Sequence, residues 1–184
     1  FVKEDAPGVF ARIRERIKEG RWEAEGAMWL EPDCNISSGE SLIRHIIYGR
    51  RFFEQELGAE KNEVLWLPDV FGYSAALPQI LQKSGIPYFM TTKIGWNEFN
   101  RFPHDTFLWK GIDGTEVLTH LISTRNYQKP GDLKMVGNHS TTYNGLQNAS
   151  QLMGTWQRCQ DKDVSTEVLT CYGYGDGGGG PTRE

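Results

Sequence analysis

The stretch VLWLPD at residues 64–69 decides how this chain is expected to fold. Its first four residues form an apolar run of the length of a buried strand. Pro68 has no amide hydrogen, so it ends the run of strand hydrogen bonds, and Asp69 follows directly. A carboxylate just past the carboxyl end of a buried strand lies where α/β proteins place binding and catalytic groups. The pattern therefore predicts Asp69 as a site residue.

A second strand-like run, near the other end of the chain, leads to a similar position. Residues 168–172 run into the glycine-rich stretch GYGDGGGG at residues 173–180, which contains Asp176. The carboxyl ends of parallel strands lie at one edge of a sheet. We therefore expect Asp69 and Asp176 to face each other across one pocket.

Helical and strand-like patterns alternate along the rest of the chain. Apolar spacing and capping residues predict helices at residues 7–19, 37–57, 74–84 and 146–160. Strand-like runs lie at residues 22–30, 64–67, 88–92 and 168–172, and Asp113-Gly114 predicts a hairpin. This alternation is typical of a parallel sheet made of βαβ units, in either a (β/α) barrel or a wound sheet. Polar residues follow four of the predicted strands: Asp33, Asp69, Lys93 and Asp176.

Composition narrows the class of protein. The chain of 184 residues is 38% hydrophobic and 24% charged, and its net charge of -4 gives no basic surface for nucleic acid. No apolar run is as long as a membrane span. Three widely spaced cysteines show neither metal-ligand nor disulfide spacing, which favours a reducing compartment. The chain begins at Phe1 and ends just after a glycine-rich turn, so we expect a segment of a longer protein, cut at both ends.

Two carboxylates at strand ends suit the paired acid and nucleophile of glycoside hydrolysis. Aromatic residues stand near them in the sequence, and sugars stack on aromatic rings. Taken singly, Asp69 is better explained as a helix cap and Asp176 as a turn residue. Lys93 is expected either to pair with Asp69 and lower its pKa, or to be a solvated lysine at a strand end.

The glycines at residues 177–180 also leave two alternatives open. They suit a phosphate cradle before a helix, but they lack the Gly-Lys-Ser/Thr ending of a P-loop. They equally suit a backbone that approaches a ligand closely. The four histidines show no metal-ligand spacing; they are His45, His104, His120 and His139.

Several longer motifs resemble glycoside hydrolase family 38, the zinc-dependent α-mannosidases, and most closely their cytosolic and vacuolar branch. The motifs extend along nearly the whole chain: WLEPDCN at 29–35, LPDVFGYS at 67–74, TKIGWN at 92–97, FPH at 102–104 and GYGDGGGGPT at 173–182. The resemblance implies an incomplete part of a seven-stranded β/α barrel, with residues 1–184 belonging to a single catalytic domain.

The resemblance also implies roles for individual residues. Asp69 matches the catalytic nucleophile, which is also a zinc ligand, and Asp176 matches the general acid/base. Lys93 matches a basic position beside the nucleophile, while Phe71 and Tyr127 match positions that line the substrate pocket. The implied reaction is hydrolysis of terminal α-linked mannose from oligosaccharides with retention of anomeric configuration.

Zn²⁺ is the cofactor that the resemblance implies, but the family's His-x-Asp motif and downstream His have no match in this chain. The remaining ligands are therefore expected outside it, and the isolated segment is expected to bind zinc weakly and to be inactive. The resemblance and the sparse cysteines imply a cytoplasmic protein that binds no nucleic acid or membrane, with homo-oligomerisation of the full-length protein left open. A non-catalytic carbohydrate-binding module that keeps the sugar pocket is the alternative, and a phosphate-binding protein is a weaker third.

Overall fold

A computed structural model describes residues 2–59, 62–97, 99–129 and 141–175 of the chain. The helices are α1 (Val2–Asp5), α2 (Pro7–Lys18), α3 (Gly39–Phe52), α4 (Leu77–Lys83) and α5 (Ala149–Arg158). The strands are β1 (Val64–Trp66), β2 (Tyr88–Thr91), β3 (Thr106–Lys110) and β4 (Glu116–Leu121). A π-helical turn (Phe53–Leu57) extends α3, and a 3-10 turn (Lys93–Gly95) follows β2.

Helix boundaries follow local chemistry. Pro7 begins α2, where its missing amide hydrogen costs no hydrogen bond. Ser38 caps α3 by accepting a hydrogen bond from the amide of Ser41, one residue later than the predicted capping residue. Gly58 ends the π-helical turn in the left-handed conformation, as its sequence position predicts.

The four strands form one mixed sheet in the order β1-β2-β4-β3. β1, β2 and β4 are parallel, whereas β3 pairs antiparallel with β4 through the predicted hairpin. Helix α4 packs against β4 and helix α3 against α4, and the buried core that these elements share with the sheet includes Leu42, Leu65, Leu77, Leu81 and Phe89. No helix among the described residues has the length and apolar character needed to cross a bilayer.

The seven-stranded β/α barrel expected from the resemblance is wrong for this structure. The sheet of the described residues has four strands, includes an antiparallel edge strand and does not close on itself. Two predicted strands are absent. Residues 22–30 contribute only an isolated bridge from Gly26 to Leu65, because Gly26 and Ala27 both have positive φ values, outside the β region. Residues 168–172 likewise contribute only a bridge from Tyr172 to Gly145.

Candidate active site at the ends of β1 and β2

The register of the two central parallel strands brings Asp69 and Lys93 together. Trp66 in β1 is paired with Met90 in β2, and Asp69 and Lys93 lie at equal distances beyond this pair. The alignment continues past the strands, because the amide of Thr92 donates to the carbonyl of Pro68 at 3.3 Å. The Lys93 ammonium consequently lies 2.8 Å from Asp69 Oδ1. The predicted ion pair is present; its role in substrate binding stays a prediction.

Aromatic rings surround the Lys93 ammonium. Its nitrogen lies 3.3 Å from the ring centroid of Trp96, 5.0 Å from that of Phe71 and 5.8 Å from that of Tyr143. Each ring presents the negative face of its quadrupole to a nearby cation. These contacts stabilise a lysine whose side chain is only 5% exposed, and they fix the position of its charge beside Asp69.

Two further side chains hold Asp69 from other parts of the chain. The hydroxyl of Tyr143 donates to Asp69 Oδ2 at 2.9 Å. Glu31 Oε1 accepts a hydrogen bond from the backbone amide of Asp69 at 2.6 Å. A bridge between Cys34 and Tyr73 aligns the Glu31 segment with the segment after β1. Three separate segments therefore contact this one residue.

The charge state of Asp69 follows from competing effects. Burial alone would raise the pKa of Asp69, but the Lys93 ammonium and the Tyr143 hydroxyl outweigh it, so the pKa is lowered below 3.8. Glu31 shifts in the opposite direction, since burial of its carboxyl group and the nearby Asp69 charge raise its pKa. Asp69 is thus an ionised carboxylate at neutral pH with 34% of its side chain exposed. A half-exposed carboxylate of this kind is chemically suited to act as a nucleophile or as a ligand.

The structure brings only some of the predicted site residues together. Phe71 contacts Lys93 and is 77% exposed, so its ring is open to a ligand. The backbone amide of Tyr127 bonds to Ser150 in α5, and within the described ranges no hydrogen bond or ring contact joins Tyr127 to Asp69 or Lys93. Asp33 accepts the amides of residues 35 and 36 in a tight turn, which is a structural role. Asp176 lies outside the described residues.

The described residues do not by themselves make a metal site. Asp69 Oδ1 is buried against the Lys93 ammonium, so a metal ion would have to bind the exposed part of the carboxylate. No group of three or more His, Cys, Asp or Glu side chains in that part of the chain could hold a metal ion. Asp69 is one candidate ligand rather than a complete site.

Sequence reasoning missed Tyr143 and Glu31 as contacts of Asp69. Tyr143 lies in a polar segment without periodic pattern, where no local signal distinguishes it. Glu31 had a usable signal, because it follows a predicted strand within the WLEPDCN motif.

Comparison with known proteins agrees with the motifs around Asp69. Residues 1–184 match the model of the glycosyl hydrolases family 38 N-terminal domain. The chain belongs to glycosyl hydrolase family 38. It is therefore part of a family of glycoside hydrolases, as the sequence motifs predicted.

Curated members of family 38 resemble this chain over its whole length. It is 43% identical to alpha-mannosidase G of Dictyostelium discoideum over 182 residues, covering 99% of this chain and 15% of that protein. It is 40% identical to alpha-mannosidase 2C1 of Mus musculus and to an alpha-mannosidase of Saccharomyces cerevisiae, covering 100% of this chain and 16% of each. The chain thus spans about a sixth of the length of these relatives.

A solved family 38 structure supports the fold. A protein of this family from Enterococcus faecalis superposes with a TM-score of 0.57 at 17% identity, covering 95% of this chain and 17% of that one. At this level of identity the likeness concerns the fold alone.

Proposed function

We propose that the protein containing this chain is a retaining, zinc-dependent α-mannosidase that removes terminal α-linked mannose from oligosaccharides, and that this chain is one part of its catalytic domain. The observation that carries the proposal is the Asp69 carboxylate, which is kept ionised by Lys93 and Tyr143 at the carboxyl end of β1. Membership of family 38 and three relatives named as alpha-mannosidases support the choice of sugar.

Asp69 is proposed as the nucleophile. Its carboxylate attacks the anomeric carbon as Asp176 gives a proton to the leaving oxygen, so the glycosidic bond breaks and a glycosyl ester forms on Asp69. Asp176 then removes a proton from water, which attacks the same carbon and releases mannose and the Asp69 carboxylate. This double displacement requires the two carboxyl groups to lie about 5–5.5 Å apart. Phe71, Lys93 and Tyr127 are proposed to contact the sugar.

Zn²⁺ is proposed as the cofactor, with Asp69 supplying one ligand and the others lying elsewhere in the full-length protein. When bound, zinc would hold sugar hydroxyls and polarise them as a Lewis acid. The ionised, partly exposed Asp69 carboxylate supports this assignment. Three free, buried cysteines support a reducing, cytoplasmic location for the protein.

The test uses the full-length protein and an aryl α-mannoside. We expect turnover, loss of turnover with a chelator, and recovery when zinc is added back. NMR of the first product formed should show the α anomer. Initial release of the β anomer would rule out the retaining mechanism.

Two variants test the residue roles. Asp69→Asn should abolish turnover, because the neutral amide is a poor nucleophile. Asp176→Asn should reduce hydrolysis of an unactivated mannoside strongly while sparing substrates whose leaving group needs no protonation. Full activity of both variants on an unactivated mannoside would disprove both assignments. Mannose binding without turnover in every metal state would instead favour a carbohydrate-binding module.

A further inference from the structure

Tyr143 lies between Asp69 and the segment that leads to Asp176. Its hydroxyl donates to Asp69 Oδ2 at 2.9 Å. At its ring edge, a Cβ atom added to Gly175 would lie 2.9 Å from Tyr143 Cε2 and 2.8 Å from Asn144 Cβ. Gly175 directly precedes Asp176 in the sequence. One tyrosine therefore contacts a proposed catalytic carboxylate and the residue next to the other.

The segment that carries Tyr143 is held on both sides. Trp96, which stacks on Lys93, donates its indole N–H to the carbonyl of Thr141 at 2.8 Å. The amide of Thr142 donates to the carbonyl of Thr124 at 2.7 Å, just beyond β4. These two hydrogen bonds anchor the Tyr143 segment to the residues that follow β2 and β4.

Close backbone packing completes this support. The carbonyl of Gly145 accepts the amide of Gly173 at 3.0 Å. A Cβ on Gly145 would lie 2.6 Å from the carbonyl oxygen of Cys171, so only glycine allows the two segments to approach this closely. Tyr143 is thus wedged between the strand ends and residues 171–175.

Tyr143 also completes the contacts of the Asp69 carboxylate. Lys93 contacts Oδ1 and Tyr143 contacts Oδ2, so the two oxygens are held by different partners from different segments. A carboxylate with one fixed partner still rotates about its Cβ–Cγ bond, whereas two partners fix the plane of the group. Fixed orientation of the reacting atoms accelerates the chemical step more than it strengthens substrate binding.

We propose that Tyr143 is a positioning residue for catalysis, which orients the Asp69 carboxylate through its hydroxyl and sets the position of the Gly175 backbone through its ring. The inference rests on the proposed function, since it assigns Tyr143 to that reaction. Tyr143 acts through the Asp69 carboxylate and the Gly175 backbone and takes no proton from substrate.

The first experiment compares Tyr143→Phe with Tyr48→Phe in the full-length protein. Tyr48 is half-exposed on α3, where its ring contacts Arg51, and its variant also loses only a hydroxyl. On an aryl α-mannoside, we expect Tyr143→Phe to lower kcat about 10- to 100-fold with KM changed less than about threefold. Tyr48→Phe should match the wild type. A loss that falls on KM, or an unchanged kcat, would overturn the hydroxyl's role.

The Asp69→Asn variant separates this inference from the proposed function. If Asp69→Asn is inactive and Tyr143→Phe is fully active, the Tyr143 inference fails and the proposed function stands. If Asp69→Asn keeps full activity, the proposed nucleophile is wrong whatever Tyr143→Phe does.

The second experiment tests the ring contact through Gly175→Ala, with Gly8→Ala as the matched control. An added Cβ at Gly8 meets no atom within 4 Å, whereas at Gly175 it forces Tyr143 or the backbone to move. We expect a loss of kcat for Gly175→Ala alone. In the double variant with Tyr143→Phe, the loss should be smaller than the product of the two single losses, because a displaced ring and a missing hydroxyl both weaken the same Tyr143–Asp69 hydrogen bond. A double variant whose loss of kcat equals the product of the two single losses would overturn the link between Gly175 and Tyr143.

Discussion

Two carboxylate–cation pairs in this chain have similar contact distances, but their carboxylates differ in solvent exposure. Asp69 lies 2.8 Å from Lys93, and its side chain is 34% exposed. Asp105 lies 3.1 Å from Arg158, and the two side chains are 2% and 4% exposed. The second carboxylate oxygen of Asp105 accepts the amide of Gln160 at 2.7 Å. The Asp105 pair is closed to ligands, whereas in the open pair the Asp69 side chain is partly exposed at the strand ends, although Lys93 is about as buried as Arg158.

The comparison shows how burial and hydrogen bonding change the role of a carboxylate that is paired with a cation. Both oxygens of Asp105 have hydrogen-bond partners within the protein, so its charge ties the segment before β3 to the end of α5. Asp69 Oδ1 has a cation beside it but no hydrogen bond of good geometry. A buried carboxylate with partners on both oxygens specifies structure, while a carboxylate that is partly exposed remains available to a ligand.

The largest expected effect is the loss of the buried pair. Arg158→Met keeps the length of the side chain but leaves the Asp105 charge buried and without its cation. We expect the local free energy of opening to fall by about 3–5 kcal/mol. Hydrogen exchange of peptides covering residues 101–106 and 155–163 in the full-length protein measures this loss. Unchanged protection in these peptides would show that the pair does not hold the two segments together.

Lys93→Met is the matched change at the open pair, and its effect on stability should be much smaller. Methionine can keep contact with the ring of Trp96, and water can solvate the exposed part of Asp69. Because Asp69 Oδ1 is buried and only part of the carboxylate can be solvated, we expect the opening free energy around residues 64–69 and 88–97 to fall by about 1–2 kcal/mol. Turnover of an aryl α-mannoside should nevertheless fall at least tenfold, since Asp69 loses the cation that orients it. A stability loss equal to that of Arg158→Met would remove the distinction between the two pairs.

The sequence offered the Asp69–Lys93 pair as one of two alternatives, because local signals place both residues at strand ends. Three local signals lie within a few residues of Asp69 or Lys93: the apolar run of β1, the proline that ends it and the carboxyl end of β2. Parallel pairing then requires the two side chains to be neighbours. The central helices and the β3–β4 hairpin were predictable for the same reason, since caps and an Asp-Gly turn are local.

The features that the sequence did not predict depend on long-range contacts, which no local pattern shows. Residues 22–30 alternate like a strand, yet two consecutive positive φ values at Gly26 and Ala27 prevent pairing. The backbone at Ala27 also packs closely against helix α3: a Cβ on Gly49 would lie 2.5 Å from the Ala27 carbonyl oxygen. Tyr143 reaches Asp69 across 74 residues of sequence, so only the tertiary structure reveals it.

The last expected effect, which depends on pH, concerns Asp161, which extends the buried group around Asp105. Asp161 accepts the backbone amides of Asp105 at 2.6 Å and Thr106 at 2.8 Å, and contacts His104 Nδ1 at 2.8 Å. Burial alone would raise the pKa of Asp161, but these donors outweigh it, so the pKa is lowered below 3.8. A carboxylate with a lowered pKa stabilises the fold at every pH above its unfolded value. That contribution is lost as the pH falls through the folded value.

Asp161→Asn should therefore weaken the fold in a pH-dependent way. Asparagine offers one acceptor oxygen where three donors converge, and we expect the local opening free energy at neutral pH to fall by about 1–3 kcal/mol. The exposed neighbour Asp163, changed to Asn, is the matched control and should have no effect. Hydrogen exchange at the amides of Asp105 and Thr106, corrected for intrinsic rates, should show the difference shrinking as the pH falls through the lowered pKa of Asp161. A difference that stays constant into acid would mean that Asp161 stabilises this region through shape and packing rather than through its charge.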